Sequence, residues 1–315
     1  MSAASIRVHG GKGVGAVTLA SGELEATFVP ELNMLGTSLR LGGEEFVALQ
    51  GGTARYRSRS TTGIPLLAPW ANRLGAWSYR AAGRRVDLSG HDLTTDPNGL
   101  PIHGTMWAEP WEVQTLAVRG RTARLHAVFA YERADLVASF PYPHRLATTV
   151  VNDGRSVSIT TTVRPTGDRA VPVSFGFHPY LRLPSGPRSG WRLRLPRRAH
   201  LELGEQLIPT GRSVEEPAES LPVGRRTFDD GYELTGGRTL GLESDDHRLT
   251  LRFGAGYPFA QVFAPPGAGF VCLEPMTAPT NALANGSCPL VEPGETFIAR
   301  FSIRPERVGV AEALS

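Results

Sequence analysis

Lysine is almost missing from this 315-residue chain: Lys12 is the only one, and arginine carries nearly all the positive charge. With 33 basic against 30 acidic residues the formal charge is +3, which gives no reason to expect a polyanionic partner. Cysteine is scarce too. Cys272 and Cys288 have neither the spacing of a metal site nor the number for a disulfide framework, so no metal is expected and a reducing, cytoplasmic setting fits. No apolar run is long enough to cross a bilayer, and residues 1–22 hold no charged segment leading into an apolar one, so neither a membrane partner nor secretion is expected. Helical spacing is the last absence. Almost nowhere do apolar residues recur at intervals of three and four for three turns, which argues against a parallel sheet with crossover helices.

What the chain does have is alternation. Residues 23–29, 122–132, 156–163, 247–253 and 296–303 alternate apolar and polar side chains, with Val157, Ile159, Thr161 and Val163 on one face of their segment. Turn signals such as Gly42-Gly43, Asn152-Asp153-Gly154 and Gly236-Gly237 separate such runs. Many short strands joined by turns predict an all-β fold, a large antiparallel β-sandwich, and the absence of any repeat or linker predicts one domain over residues 1–315. Longer loops are expected at 53–70, 89–107, 184–190 and 209–230, where proline and glycine concentrate. The arginine-rich run 188–198 alternates with apolar residues and reads as a solvated strand face. It lacks the aromatic platform of a nucleic-acid module, so no nucleic acid is expected.

Six stretches carry candidate chemistry. His9 to Gly15 is glycine-rich, but Lys12 is followed by glycine where a phosphate loop needs Ser or Thr, so it reads as a flexible turn. Val171 to Leu183 (V-P-V-S-F-G-F-H-P-Y-L-R-L) is an apolar strand that must stop at His178, because Pro179 has no N–H to donate; taken alone, a half-buried histidine with a satisfied ring explains it as well as a functional one. Gly269 to Leu283 repeats that grammar: the apolar run G-F-V-C-L ends on Glu274 and Pro275 follows at once. A core seldom wants such a carboxylate, since burying it costs several kcal/mol unless it is paired or neutralised. Gly63 to Gly75 leads into Asn72 and Arg73, whose planar fork suits paired hydroxyls or a carboxylate; a surface salt bridge explains it equally well. Pro101 to Trp111 sets His103 before a glycine, near Trp107 and Trp111, and aromatic faces beside hydrogen-bonding groups suit a sugar; a buried loop histidine is the competing reading. Thr227 to Leu234 (T-F-D-D-G-Y-E-L) presents two aspartates in what reads as a turn.

Taken in order, N-R, I-H-G, F-H-P-Y, F-D-D-G-Y and L-E-P-x-T-x-P-T-N-A resemble the motifs of the aldose 1-epimerase (galactose mutarotase) family, from about Leu24 to Ile303. The resemblance implies a galactose mutarotase-like supersandwich with a small-molecule sugar in an open cleft and no metal or organic cofactor; a monomer and a homodimer both remain open. It implies Glu274 as catalytic base and His178 as catalytic acid, with Arg73, His103 and Asp229 holding sugar hydroxyls and Asn72 and Gln261 as further contacts. Asp229 rather than Asp230 follows from aligning the first aspartate of the pair. The family's usual Arg or Lys after H-G is replaced by Met106 and Trp107. Two expectations follow for the pair: it faces itself across the cleft with the sugar between, and burial raises Glu274 while a nearby carboxylate keeps His178 protonated. Two alternatives stand beside this. One is a hexose-6-phosphate mutarotase, with Arg55, Arg57 and Arg59 for the phosphate, although R-Y-R-S-R also reads as an exposed strand edge. The other is a carbohydrate-binding protein without catalysis.

Overall fold

The computed structural model describes residues 3–10 and 15–309; of the glycine-rich stretch 9–15, residues 11–14 lie outside the described residues. Antiparallel strands dominate. Among the described residues a nine-stranded sheet runs from Glu219–Pro222 through Arg192–Leu195, Thr239–Glu243, His247–Phe253, Phe297–Arg307, Val157–Pro165, His144–Asn152 and Thr122–Tyr131 to Glu112–Arg119. An eight-stranded sheet is ordered Pro209–Glu216, Arg198–Leu203, Phe228–Glu233, Phe259–Ala264, Val271–Met276, Gly176–Phe177 and Leu66–Leu67, with Tyr180–Leu181 also paired to Val271–Met276. Ser5–His9, Ala16–Ser21, Leu24–Val29, Leu35–Leu41 and Glu44–Glu45 form a third sheet.

The alternating segments form strands within a residue or two of the expected bounds at one end and up to four at the other, as in Val157–Pro165 and Phe297–Arg307. Their inward residues make the core between the two large sheets: Ile159, Val163, Leu249, Leu251, Phe301 and Ile303 from one, Phe177, Val262 and Leu273 from the other, all essentially buried. Phe177 and Phe301 meet at 5.0 Å between ring centroids, which ties the sheet carrying the site to the sheet behind it. Each such buried side chain contributes about 1.5–3 kcal/mol relative to exposure.

Four expectations need correction. R-Y-R-S-R is not a strand edge, because Gly52–Arg57 is a short helix with Tyr56 turned into the protein. Residues 209–230 are not one loop: they include the strands Pro209–Glu216 and Glu219–Pro222 and enter Phe228–Glu233. F-D-D-G is therefore strand rather than turn, since ladder pairing with Phe259–Ala264 outweighs the local turn preference of Asp-Gly. The arginine run is solvated only in part. Arg192 and Arg194 are exposed, but Arg188 and Arg198 at its ends are buried, Arg188 donating to three backbone carbonyls and Arg198 paired with Glu216 and Glu219.

Candidate active site

The site lies on one face of the eight-stranded sheet, and strand register builds it. Asp229 pairs with Phe263, Phe263 with Cys272 and Cys272 with Tyr180. One step along, Gly231 pairs with Gln261 and Gln261 with Glu274. Gly176 pairs with Met276 and Tyr180 with Cys272, which leaves His178, between two short strands, beside Glu274. Because side chains alternate along a strand, Asp229, Gln261, Phe263, Glu274, His178 and Tyr180 share the cleft face. All six line a cleft of about 1000 Å³.

His178 Nε2 lies 3.3 Å from Glu274 Oε1, and both side chains are buried. The pair is thus in contact as cross-strand neighbours, not apart with room for a sugar between. Glu274 is not at a strand end either: the strand continues through Pro275 to Met276. Burial pushes the Glu274 carboxyl well above its usual range, with Asp229 adding to the rise and Arg73 opposing it. Burial also lowers His178, to about 3, so the imidazole is neutral and the expectation of a protonated His178 does not hold. Desolvation of the buried ring is the largest cause of that shift. The His178 ring is stacked on Tyr180 at 4.8 Å and meets Phe263 and His103 edge-on at 5.7 and 5.6 Å, surroundings that favour the uncharged ring.

The other wall comes from loops. Asn72 and His103 both have left-handed backbone, φ 57° and 65°. The Asn72 carbonyl accepts from His103 N at 3.0 Å, and its side-chain Oδ1 accepts from Arg73 N at 2.9 Å, so Asn72 braces the wall. Burial drives His103 well below its usual value, and its Nδ1 has no hydrogen-bond partner among the described residues. Arg73 is buried, not a surface salt bridge. Its Nε donates to Asp96 Oδ2 at 2.9 Å, and its NH2 lies 3.7 Å from Asp229 Oδ2. Asp229 Oδ1 accepts from Gln261 Nε2 at 2.7 Å, whereas Asp230 faces the other way, 3.2 Å from His200 Nε2.

The structure therefore gathers Glu274, His178, Arg73, His103, Asp229, Asn72 and Gln261 around one cleft. Sequence reasoning missed Asp96 and gave no role to Tyr180 and Phe263; the period of two on either side of Gln261 and His178 was the available signal for the two aromatics. Met106 enters the core, and Trp107 lines the cleft with its ring 5.5 Å from Tyr56. Arg55 and Arg59 line the cleft mouth, Arg57 does not, and Arg59 is paired with Asp92 at 2.8 Å.

A comparison with curated proteins found no match. Among solved structures the chain is similar to a galactose mutarotase-like protein from Clostridium acetobutylicum, with TM-score 0.86 and 16% identity over 97% of this chain and 99% of that one. It is also similar to galactose 1-epimerase from Lactobacillus acidophilus NCFM (0.79, 14%, 97% and 99%) and to a putative aldose 1-epimerase from Escherichia coli K12 (0.74, 18%, 92% and 98%). These likenesses are of fold. The profile of one family, aldose 1-epimerase, matches residues 37–304, so that the chain belongs to the aldose 1-epimerase family and its sandwich is of the galactose mutarotase-like kind.

Proposed function

We propose that the protein interconverts the α and β anomers of a free aldose, with Glu274 and His178 moving the protons. The observation that carries this reading is their 3.3 Å contact in a cleft that also presents Arg73, His103, Asp229 and Gln261. Anomer exchange takes a proton from the anomeric hydroxyl and gives one to the ring oxygen. The C1–O5 bond then breaks, C1–C2 rotates, and closure runs the transfers backwards. One base and one acid suffice, and the chemistry is redox-neutral, so the reading asks for no cofactor.

The pair holds the required proton, on Glu274 at rest. Its transfer across the contact to His178 gives the working state, carboxylate and imidazolium. Glu274 then accepts from the anomeric hydroxyl and His178 donates to the ring oxygen; on closure the C5 hydroxyl returns its proton to His178 and Glu274 returns its own to C1–O. Arg73, His103, Asp229 and Gln261 hold the remaining hydroxyls so that both transfers are in reach.

The test is mutarotation followed by polarimetry across galactose, glucose, xylose and arabinose. Glu274→Gln and His178→Asn are each expected to lower the rate about 10²- to 10⁴-fold with the fold retained. A wild-type rate in either variant, or sugar binding without anomer exchange in the unaltered protein, would count against catalysis and favour a carbohydrate-binding protein. A second reading, a hexose-6-phosphate mutarotase, draws on Arg55 and Arg59 at the cleft mouth. Faster exchange of glucose 6-phosphate than of glucose would select it.

A further inference from the structure

Asp96 stands in a D-P-N-G turn whose close hydrogen bonds fall on one oxygen of its carboxylate. Oδ1 accepts from the backbone N–H groups of Asn98 and Leu100, both at 2.9 Å, while Asp96 N donates to Leu100 O at 2.9 Å. An asparagine oxygen would close that turn equally well. Oδ2 is the surplus. It accepts from Arg73 Nε at 2.9 Å in a pairing where the Asp96 side chain is 1% exposed and that of Arg73 8%.

Arg73 is thereby held at its inner nitrogen, and its two terminal nitrogens point elsewhere: NH1 donates to Leu207 O at 3.3 Å, and NH2 stops 3.7 Å from Asp229 Oδ2. The last distance matters. A guanidinium drawn fully onto Asp229 would make a bidentate pair and remove both groups from a ligand. Asp96 holds a different nitrogen of the same guanidinium, from a separate loop.

We propose that Asp96 is a positioning residue for sugar binding, which anchors Arg73 by its Nε so that the guanidinium edge and the Asp229 carboxylate both stay available to hydroxyls. This rests on the reading that the cleft takes an aldose. Asp96 acts through Arg73 and touches no reacting atom. Its loss falls on KM more than on kcat, because the hydroxyl contacts are made alike in ground and transition states.

The experiment is a double-mutant cycle of Asp96→Asn with Arg73→Ala, read by mutarotation kinetics and, should the protein bind sugar without turnover, by the calorimetric Kd. Asp96→Asn alone is expected to raise KM up to about 10²-fold, the scale of a small misplacement of a binding group, with kcat changed far less. In the Arg73→Ala background it is expected to change nothing further. An unchanged KM for Asp96→Asn, or the same increase with Arg73 absent, overturns the proposal and leaves the aldose reading standing. Near-ultraviolet circular dichroism checks the fold. Should Asp96→Asn not fold, Arg73→Lys leaves the turn intact but presents a point charge without the inner nitrogen. It is expected to raise KM likewise, and a wild-type KM in it overturns the proposal. A protein that neither binds nor exchanges any aldose removes both readings.

Discussion

Glu274 keeps a proton that an exposed glutamate would have lost, because burial penalises its charged form. The consequence for stability has a definite sign. Above 4.5 the unfolded chain releases this proton while the folded protein retains it, so the folded state binds more protons and stability falls as pH rises towards the folded value. His178 works in the opposite direction. Its ring ionises at about 3 when folded and at 6.5 when unfolded, so its contribution is present above 6.5 and is lost as pH falls towards 3. Glu274→Gln, expected to slow the proposed anomer exchange, is therefore also expected to stabilise the fold at neutral pH, by up to about 1.4 kcal/mol for each pH unit above 4.5 within that window. Urea denaturation at pH 4 and pH 7.5 checks this: the gain should appear at the higher pH and vanish at the lower. His178 and Glu274 stand out in the sequence because an ionisable residue closing an apolar run before a proline has few structural uses. Asp96 does not, because a D-P-N-G turn explains an aspartate without any partner.

At the scale of the element, the site depends on how closely two strands approach. Gly176 lies against the strand that carries Glu274: a Cβ there would stand 2.6 Å from Met276 Sδ and 2.8 Å from Pro275 O. Gly176→Ala is expected to push the two strands apart and move His178 off Glu274, lowering the exchange rate about 10²-fold while the protein still folds. Polarimetry alongside a thermal melt checks this; full activity would mean that the pair tolerates the shift. Such close approach cannot be read from a lone glycine. The strands themselves can, wherever one face is buried and the other wet, as in His247–Phe253, whose bounds follow from alternation. Pro209–Glu216 escaped because it is exposed along nearly its whole length at a sheet edge and so carries no alternation. Phe228–Glu233 escaped for another reason: Asp-Asp-Gly is turn chemistry, and only pairing with a distant strand makes it a ladder. That ladder also separates the roles of the two aspartates, since neighbours in a strand point to opposite faces.

For the molecule as a whole, the sandwich was legible from period and turns together, without helical alternation to compete. Which strands are neighbours was not. Strand order depends on contacts between segments far apart in sequence, and local alternation says nothing about them. The cleft shows how far apart: Asn72 and Arg73 come from the first quarter of the chain, His178 from its middle, Glu274 from its last part. Gln261, Phe263 and Glu274 share one hairpin, but the facing loops with Arg73 and His103 come from far earlier in the chain. Loop closure of that length is costly before its contacts reward it, so on refolding the cleft should assemble after much of the ladder has formed. Refolding from urea is expected to restore far-ultraviolet circular dichroism first and anomer exchange later, with the lag set by chain topology. If the two signals return with one rate constant, the cleft forms together with the sheets. With the expected lag, exchange activity reports on the last stage of folding, and a mutation anywhere along the chain that delays strand pairing would appear first as a slow return of that activity.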